Sequence, residues 1–245
     1  MPTEEERRRI FEWLMAHLAR QTLPEPPPFP EPDAAEDAEC VALGARLTPE
    51  MVLTAYRRGI FPMAEPGGAF GWWCPDPRTV LDLADVHVPR RLQRTVRQGR
   101  FEVRVDTACP DVIAACADRA ETWISPEIEE VYGELYRRGV VHSVETWSGE
   151  HLVGGLYGVA IGGAFMAESM FHREREASKV AVVALVERLR ARGYVLCDIQ
   201  YETQATSVFR PKKLPRREYL ARLRKALTLE RSFVDAPGPG VGPAP

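Results

Sequence analysis

Two apolar runs, Leu152–Ala160 and Ala164–Phe171, flank the pair Gly162-Gly163. Two such runs around Gly-Gly predict a β-hairpin, because both central residues can take φ > 0 without a steric penalty. A two-residue loop would pair Val159 with Met166 and Tyr157 with Glu168. Strand alternation would then set Met166, Glu168 and Met170 on one face. That places one carboxylate in a wall of apolar groups. A helical stripe follows in Val180, Val183, Ala184, Val186 and Leu189. Ser178 is a candidate cap for it and Gly193 a stop. A strand is expected next over Tyr194–Tyr201, with Leu196, Asp198 and Gln200 on one face and Val195, Cys197 and Ile199 on the other. Strand, helix and strand with short connections form a βαβ unit. Asp198 and Gln200 then lie at the carboxyl end of a strand, where α/β sheets bind ligands. Glu168 lies near the same end of the preceding strand.

The rest of the chain carries weaker periodicity. Ile10, Phe11, Leu14 and Leu18 make one stripe over residues 3–19, with Thr3 and Glu6 as a capping box. Prolines dominate 24–32, which reads as an extended linker, and 33–39 is an acidic loop. Thr48 and Pro49 open a helix that stops at Gly59. The Gly-, Pro- and Trp-rich stretch 60–77 reads as a loop. Its Trp72 and Trp73 either close a domain junction or touch ligand. Helices are expected over 89–98, 111–118, 126–138 and from Arg216 to about 229. Strands are expected over 101–106 and 141–147, the latter turning at Ser148-Gly149. Alternating strands and helices after residue 100 give an α/β or α+β class with one main sheet. The Pro/Gly-rich end, 236–245, reads as disordered.

Composition narrows the class. The chain has 245 residues, 45% hydrophobic and 27% charged, which suits one or two globular domains. No apolar run approaches the roughly 18 residues of a membrane span, and the acidic start is unlike a secretory signal. Five cysteines (Cys40, Cys74, Cys109, Cys116, Cys197) without CxxC spacing suggest reduced thiols in a cytoplasm, and no structural zinc site. The net charge of −3 is unevenly spread. Residues 1–50 are acidic, whereas 205–245 and the set Arg90, Arg91, Arg94, Arg97, Arg100 and Arg104 are basic. Such faces either bind an RNA backbone or are merely solvated.

Several blocks together resemble the leucyl/phenylalanyl-tRNA–protein transferases. In order, they are Ala55–Pro62, Trp72–Arg78, Thr122-Trp123-Ile124, Ala167–Phe171, Ala177–Ala181 and Asp198-Ile199-Gln200. The resemblance runs from about 29 to 227. It implies a GCN5-related N-acetyltransferase-like domain behind a small N-terminal domain. The chain would divide into 1–28 (helix and linker), 29–77 (small domain), 78–232 (catalytic domain) and 233–245 (tail). The implied partners are Leu- or Phe-charged tRNA, with Met as a further candidate amino acid, and a protein or peptide N-terminus beginning with Arg or Lys. Neither metal, cofactor nor membrane is implied.

The implied reaction is attack of an N-terminal amine on the ester joining an amino acid to the tRNA 3′ adenosine. The ester is already activated, so positioning, proton removal and oxyanion stabilisation remain. Asp198 and Gln200 match the family's catalytic pair. Spacing alone favours the other reading, in which Asp198 is a sheet-end charge that is solvated or binds an arginine. Glu168 would hold the ammonium of the amino acid, and Met170, Phe165 and Leu156 would line its side-chain pocket. These apolar residues could also be plain core. Trp123 and Tyr132 match residues near the 3′ adenosine. Arg90, Arg91, Lys213, Arg216 and Arg217 are the candidates for the tRNA backbone. His142 reads as a structural hydrogen-bonder, and no Ser–His–Asp or Cys–His arrangement points to covalent catalysis.

Two positions and two runs depart from the family pattern: Met63 stands where Trp is usual, Ile199 where Cys is frequent, and the runs 43–47 and 205–213 differ. The last of these follows the catalytic strand and leaves the acceptor residue open. Two other functions fit the residues less well. An acyl-CoA acetyltransferase needs a Gly-rich phosphate turn, and 172–177 has no glycine. A non-catalytic tRNA- or degron-binding paralogue would lose Asp198 or Gln200, and both are present.

Overall fold

The computed structural model describes residues 29, 30, 32 and 38–235. The helix expected over 3–19, most of the proline linker and the 236–245 end lie outside the described residues.

The first unit is a three-stranded antiparallel sheet made of β1 (Cys40–Gly44), β2 (Phe61–Glu65) and β3 (Ala69–Trp73), in the order β1-β3-β2. The stretch expected as a loop therefore holds a hairpin. Its strands are short and carry Gly and Pro, so propensity argues against them. Burial of Phe61, Phe70 and Trp72 decides the matter, and Pro62 sits on the edge strand, where it is tolerated. Helix α1 (Pro49–Arg57) lies between β1 and β2. Its start is as expected: the Thr48 hydroxyl accepts the Met51 N–H at 3.2 Å, with Pro49 in the first turn.

The second sheet has seven strands among the described residues. They are β4 (Arg78–Leu81), β5 (Glu102–Val105), β6 (Val141–Ser148), β7 (His151–Ile161), β8 (Ala164–His172), β9 (Leu196–Gln200) and β10 (Lys212–Leu214). Their order is β10-β4-β9-β8-β7-β6-β5, and of these strands only β8 and β9 run parallel. Helix α5 (Ala177–Ala191) is the crossover between these two, completing the βαβ unit. It packs with α2 (Arg90–Arg97) over one face, above Leu156, Phe165 and Cys197. On the other face α3 (Cys109–Ala117), α4 (Pro126–Arg137) and α6 (Arg216–Leu227) join α1 over Tyr157, Val159 and Met166.

Two local details differ from the simple patterns. Ser178 lies inside α5 rather than at its cap. The cap residue is Glu176, with φ +72° and no capping side-chain bond. Its carboxylate instead accepts from Thr95 at 2.6 Å and pairs with Arg91 at 3.0 Å, both on α2. The second detail is a β-bulge. Val159 pairs with Met166 as expected, and Gly158 with Ala167, but Tyr157 faces Ser169 rather than Glu168. Glu168 is the extra residue. A bulge shifts the alternation by one, so Met170 joins Phe165 and Leu156 under α5, on the face opposite Glu168.

Candidate active site

The parallel ladder of β8 and β9 pairs Ala164 with Leu196, Phe165 with Cys197 and Met166 with Asp198. The next residues in register, Glu168 and Gln200, are joined by side chains: Gln200 Nε2 donates to Glu168 Oε1 at 2.8 Å. Both structural devices that aim this pair are local. Glu168 is turned by the bulge. Gln200 has φ +53°, a conformation a non-glycine residue seldom adopts. It is held there by its own N–H, which donates to Asp198 Oδ1 at 2.9 Å.

Asp198 itself is enclosed. Arg78 forks onto it, Nε to Oδ1 at 2.9 Å and Nη2 to Oδ2 at 2.7 Å. The Tyr219 hydroxyl donates to Oδ2 at 2.8 Å. With the Gln200 N–H, each carboxylate oxygen has two donors, and both members of the ion pair are 0% exposed. Asp198 thus binds an arginine, as the sheet-end reading expects. Arg78 also donates to the Gly59 carbonyl at 3.2 Å and lies between the rings of Phe61 and Tyr219, 4.6 Å from each centroid. Burial works against its charge, but Asp198 more than offsets this and holds the guanidinium above its ordinary value. A buried pair needs such complete hydrogen bonding to compensate its desolvation.

Glu168 is different. It is 9% exposed and has no ion-pair partner among the described residues. Burial raises its carboxyl to about 8; a hydrogen bond from Tyr56 opposes the rise, the negative Asp198 adds to it, and Arg78 and Gln200 lower it. Tyr56 and Tyr132 are fully buried, and their hydroxyls lie 2.5 Å apart. Burial, then Glu168, pushes both phenols well up. Tyr132 meets Tyr157 edge to face, with centroids 5.8 Å apart, so its ring offers no surface for stacking. Trp123 is half-buried, and its carbonyl accepts the Ala64 N–H at 3.2 Å.

Leu156 and Met170 are direct cross-strand neighbours, and Phe165 lies in the same apolar cluster. The structure thus gathers these three, while Glu168, Gln200 and Asp198 form a separate polar group. Trp72 is core, edge-on to Phe29 at 4.7 Å, and Trp73 is half-buried. His142 binds Asp106 at 2.7 Å through Nδ1, a structural bond at the far side of the sheet.

The basic candidates divide. Arg90, Arg91, Lys213 and Arg217 are exposed, with Arg91 paired to Glu176 and Lys213 to Glu202. Arg216 is not on that surface: it is 4% exposed and donates to the carbonyls of Pro32 at 3.1 Å and Ala38 at 2.8 Å. Among the described residues no group of three His, Cys, Asp or Glu side chains could hold a metal, and no helix is long and apolar enough to cross a membrane.

Sequence reasoning missed Arg78, Tyr219 and Tyr56. Arg78 did carry a signal, a charge opening the apolar strand β4. Tyr219 carried none.

A family model described as leucyl/phenylalanyl-tRNA protein transferase matches residues 80–224, and one described as the N-terminal domain of that protein matches 45–76. The chain belongs to this family. A leucyl/phenylalanyl-tRNA--protein transferase from Rubrobacter xylanophilus is 53% identical over 189 residues, covering 77% of this chain and 99% of the relative. The transferase family also includes a relative from Gloeobacter violaceus, 54% identical over 76% of this chain and 97% of its own. Another, from Anaeromyxobacter sp. strain K, is 49% identical over 84% and 90% respectively. Among solved structures, L-PGS from Bacillus licheniformis aligns at 11% identity and a TM-score of 0.35, over 68% of this chain and 54% of that one.

Proposed function

We propose that this protein is an aminoacyltransferase that moves Leu or Phe from charged tRNA to the N-terminal amine of a protein. One observation carries this: half the residues are identical to a named transferase over nearly that protein's whole length. Such additions mark proteins for N-degron proteolysis in the family, and a cytoplasmic location is part of the same reading.

The site supports the chemistry. The substrate ester needs no activation, only alignment and proton transfer. Glu168 and Gln200 present a carboxyl and an amide at one strand-end position, with Asp198 and Arg78 behind them. Phe165, Leu156 and Met170, on the α5 side of the same sheet, would take the amino-acid side chain. Trp123 would lie near the 3′ adenosine, with Tyr132 behind it as a buried hydrogen-bonder rather than a stacking ring. For the RNA backbone we propose Arg90, Arg91, Lys213 and Arg217. A notch of about 440 Å³ lined by His87, Arg90, Gln93, Arg210 and Lys212, with Asp85, adds to this basic surface. The parallel pair inside an otherwise antiparallel sheet supports an acetyltransferase-like fold for 78–232, with 29–77 as a small N-terminal domain.

The test is a transfer assay with Leu-, Phe-, Met- and Arg-charged tRNA against peptides that differ only in their first residue. Transfer of Leu and Phe to Arg- or Lys-first peptides is expected. Transfer of neither would reject the reading.

A further inference from the structure

Resting on the transferase reading and on the pocket of Phe165, Leu156 and Met170, we propose that Phe233 sets the depth of that pocket and so decides how donor amino acids of different size compete. It is a positioning residue that acts through Phe165.

Phe233 lies past the end of the stretch 80–224 that matches the transferase family model. It belongs to no helix or strand, yet it is only 2% exposed. Its ring stacks on Phe165, with centroids 5.1 Å apart and 24° between the planes, and on His142, at 4.6 Å and 26°. Tyr194 meets it edge to face at 6.4 Å. The backbone around it is tied to α5. Arg188 Nε donates to the Phe233 carbonyl at 2.8 Å, and the Arg188 guanidinium carbon lies 5.2 Å from the ring centroid. The Asp235 carboxylate accepts from Arg188 Nη2 at 3.0 Å and pairs with Arg192 as well. Such ties hold a segment that has no ladder or helix of its own.

The strand register says where the ring stands. Phe165 pairs with Ala160, and its ring reaches over Gly158, where an added Cβ would come within 2.5 and 2.7 Å of two ring carbons. Leu156 and Met170 are a pair further along β7 and β8 on the same face. Tyr194 lies the other way, before Leu196, which opens the β8/β9 ladder opposite Ala164. Phe233 touches Tyr194 and Phe165, so it stands on the side of Phe165 away from Leu156 and Met170. Gly158 sets the height of the Phe165 ring above the sheet, and Phe233 blocks its retreat.

Of the three pocket residues only Met170 is half-buried; Phe165 and Leu156 are enclosed. A donor side chain would therefore enter at Met170, whose flexible thioether can yield, and end against Phe165 with Phe233 behind it. Close-packed walls discriminate by size, and one methylene in such a pocket is worth roughly 10–200-fold.

The test is a competition. Equal amounts of Leu-tRNA and Phe-tRNA are mixed with a Lys-first peptide, and mass spectrometry reads the early Phe-to-Leu product ratio, which is the ratio of the two kcat/KM values. In F233L the Phe165 ring can move back, so the ratio should rise about tenfold. F233W overpacks the same space and pushes the ring forward, so the ratio should fall. F233M, closer in volume, carries the first arm where F233L does not fold. A purely structural role for Phe233 would lower both products together, because both donors use the same folded protein, and would leave the ratio unchanged. An unchanged ratio, or a shift of the same sign in the smaller and larger variants, overturns the proposal. Absence of either product with the wild type rejects the transferase reading beneath it.

Discussion

Gln200 and Glu168 meet at 2.8 Å where the main-chain ladder of two parallel strands ends. Neither residue reaches this meeting by regular strand geometry. One is a bulge residue and the other has a left-handed backbone. The two irregularities turn a carboxyl and an amide towards one another. Behind them the Arg78–Asp198 fork holds the end of β9 rigid.

That fork predicts a stability effect. Arg78→Leu leaves Asp198 buried without its charge partner, which should cost about 3–5 kcal/mol. Tyr219→Phe removes one of four donors and should cost less, about 1–3 kcal/mol. Denaturant unfolding of both variants checks the order. Equal, small effects would mean that the pair is not enclosed as described.

Glu168 predicts a pH dependence of stability. Its folded value of about 8 lies above the ordinary 4.5. The folded state therefore binds the proton more tightly, and stability falls as pH rises through this window. The contribution is full below about 4.5 and lost by about 8. Glu168→Gln cannot titrate, so the fall should flatten. Unfolding free energies across the window, compared between the two proteins, test this, and parallel curves would rule it out.

Tyr56 predicts a shift in the site itself. Its hydrogen bond holds the Glu168 carboxyl down. Tyr56→Phe should therefore raise the carboxyl further and move the pH dependence of stability that it carries to higher pH. Infrared titration of the carboxyl offers a second readout. A downward shift would show that Tyr56 does not donate to Glu168.

Much of this was legible in the sequence. The 162–163 hairpin, the α5 stripe and β9 follow from the placing of glycines and the spacing of apolar side chains. The βαβ unit that sets Asp198 and Gln200 at a strand end follows from them. The bulge was not legible, because one extra residue leaves no mark on composition and yet moves Met170 to the other face. The Arg78–Asp198 fork joins residues 120 apart in the chain, and pairing at that range is set by the sheet order β4-β9, not by a local pattern. The β2–β3 hairpin was hidden because buried aromatics outweighed Gly and Pro. Arg216 reads as surface charge in a basic run, but the carbonyls of Pro32 and Ala38 take it inside.

The basic surface predicts a separation of effects. Replacing Arg90, Lys213 and Arg217 by Ala should weaken tRNA binding and flatten its salt dependence, by roughly one unit of slope for each phosphate no longer neutralised. Arg216→Ala should instead lower thermal stability and leave the salt slope unchanged. Filter binding at several salt concentrations separates the two. A flattened slope for Arg216→Ala would return that residue to the RNA surface.

Everything proposed for this site turns on one event, the movement of an amino acid from tRNA to an α-amine. Mass spectrometry of a Lys-first peptide, incubated with the protein and Leu-tRNA, reads that event out. One added leucine is expected, located by fragmentation at the α-amine and absent when the tRNA is uncharged. An unmodified peptide, or leucine on the lysine side chain, would refute the transferase reading.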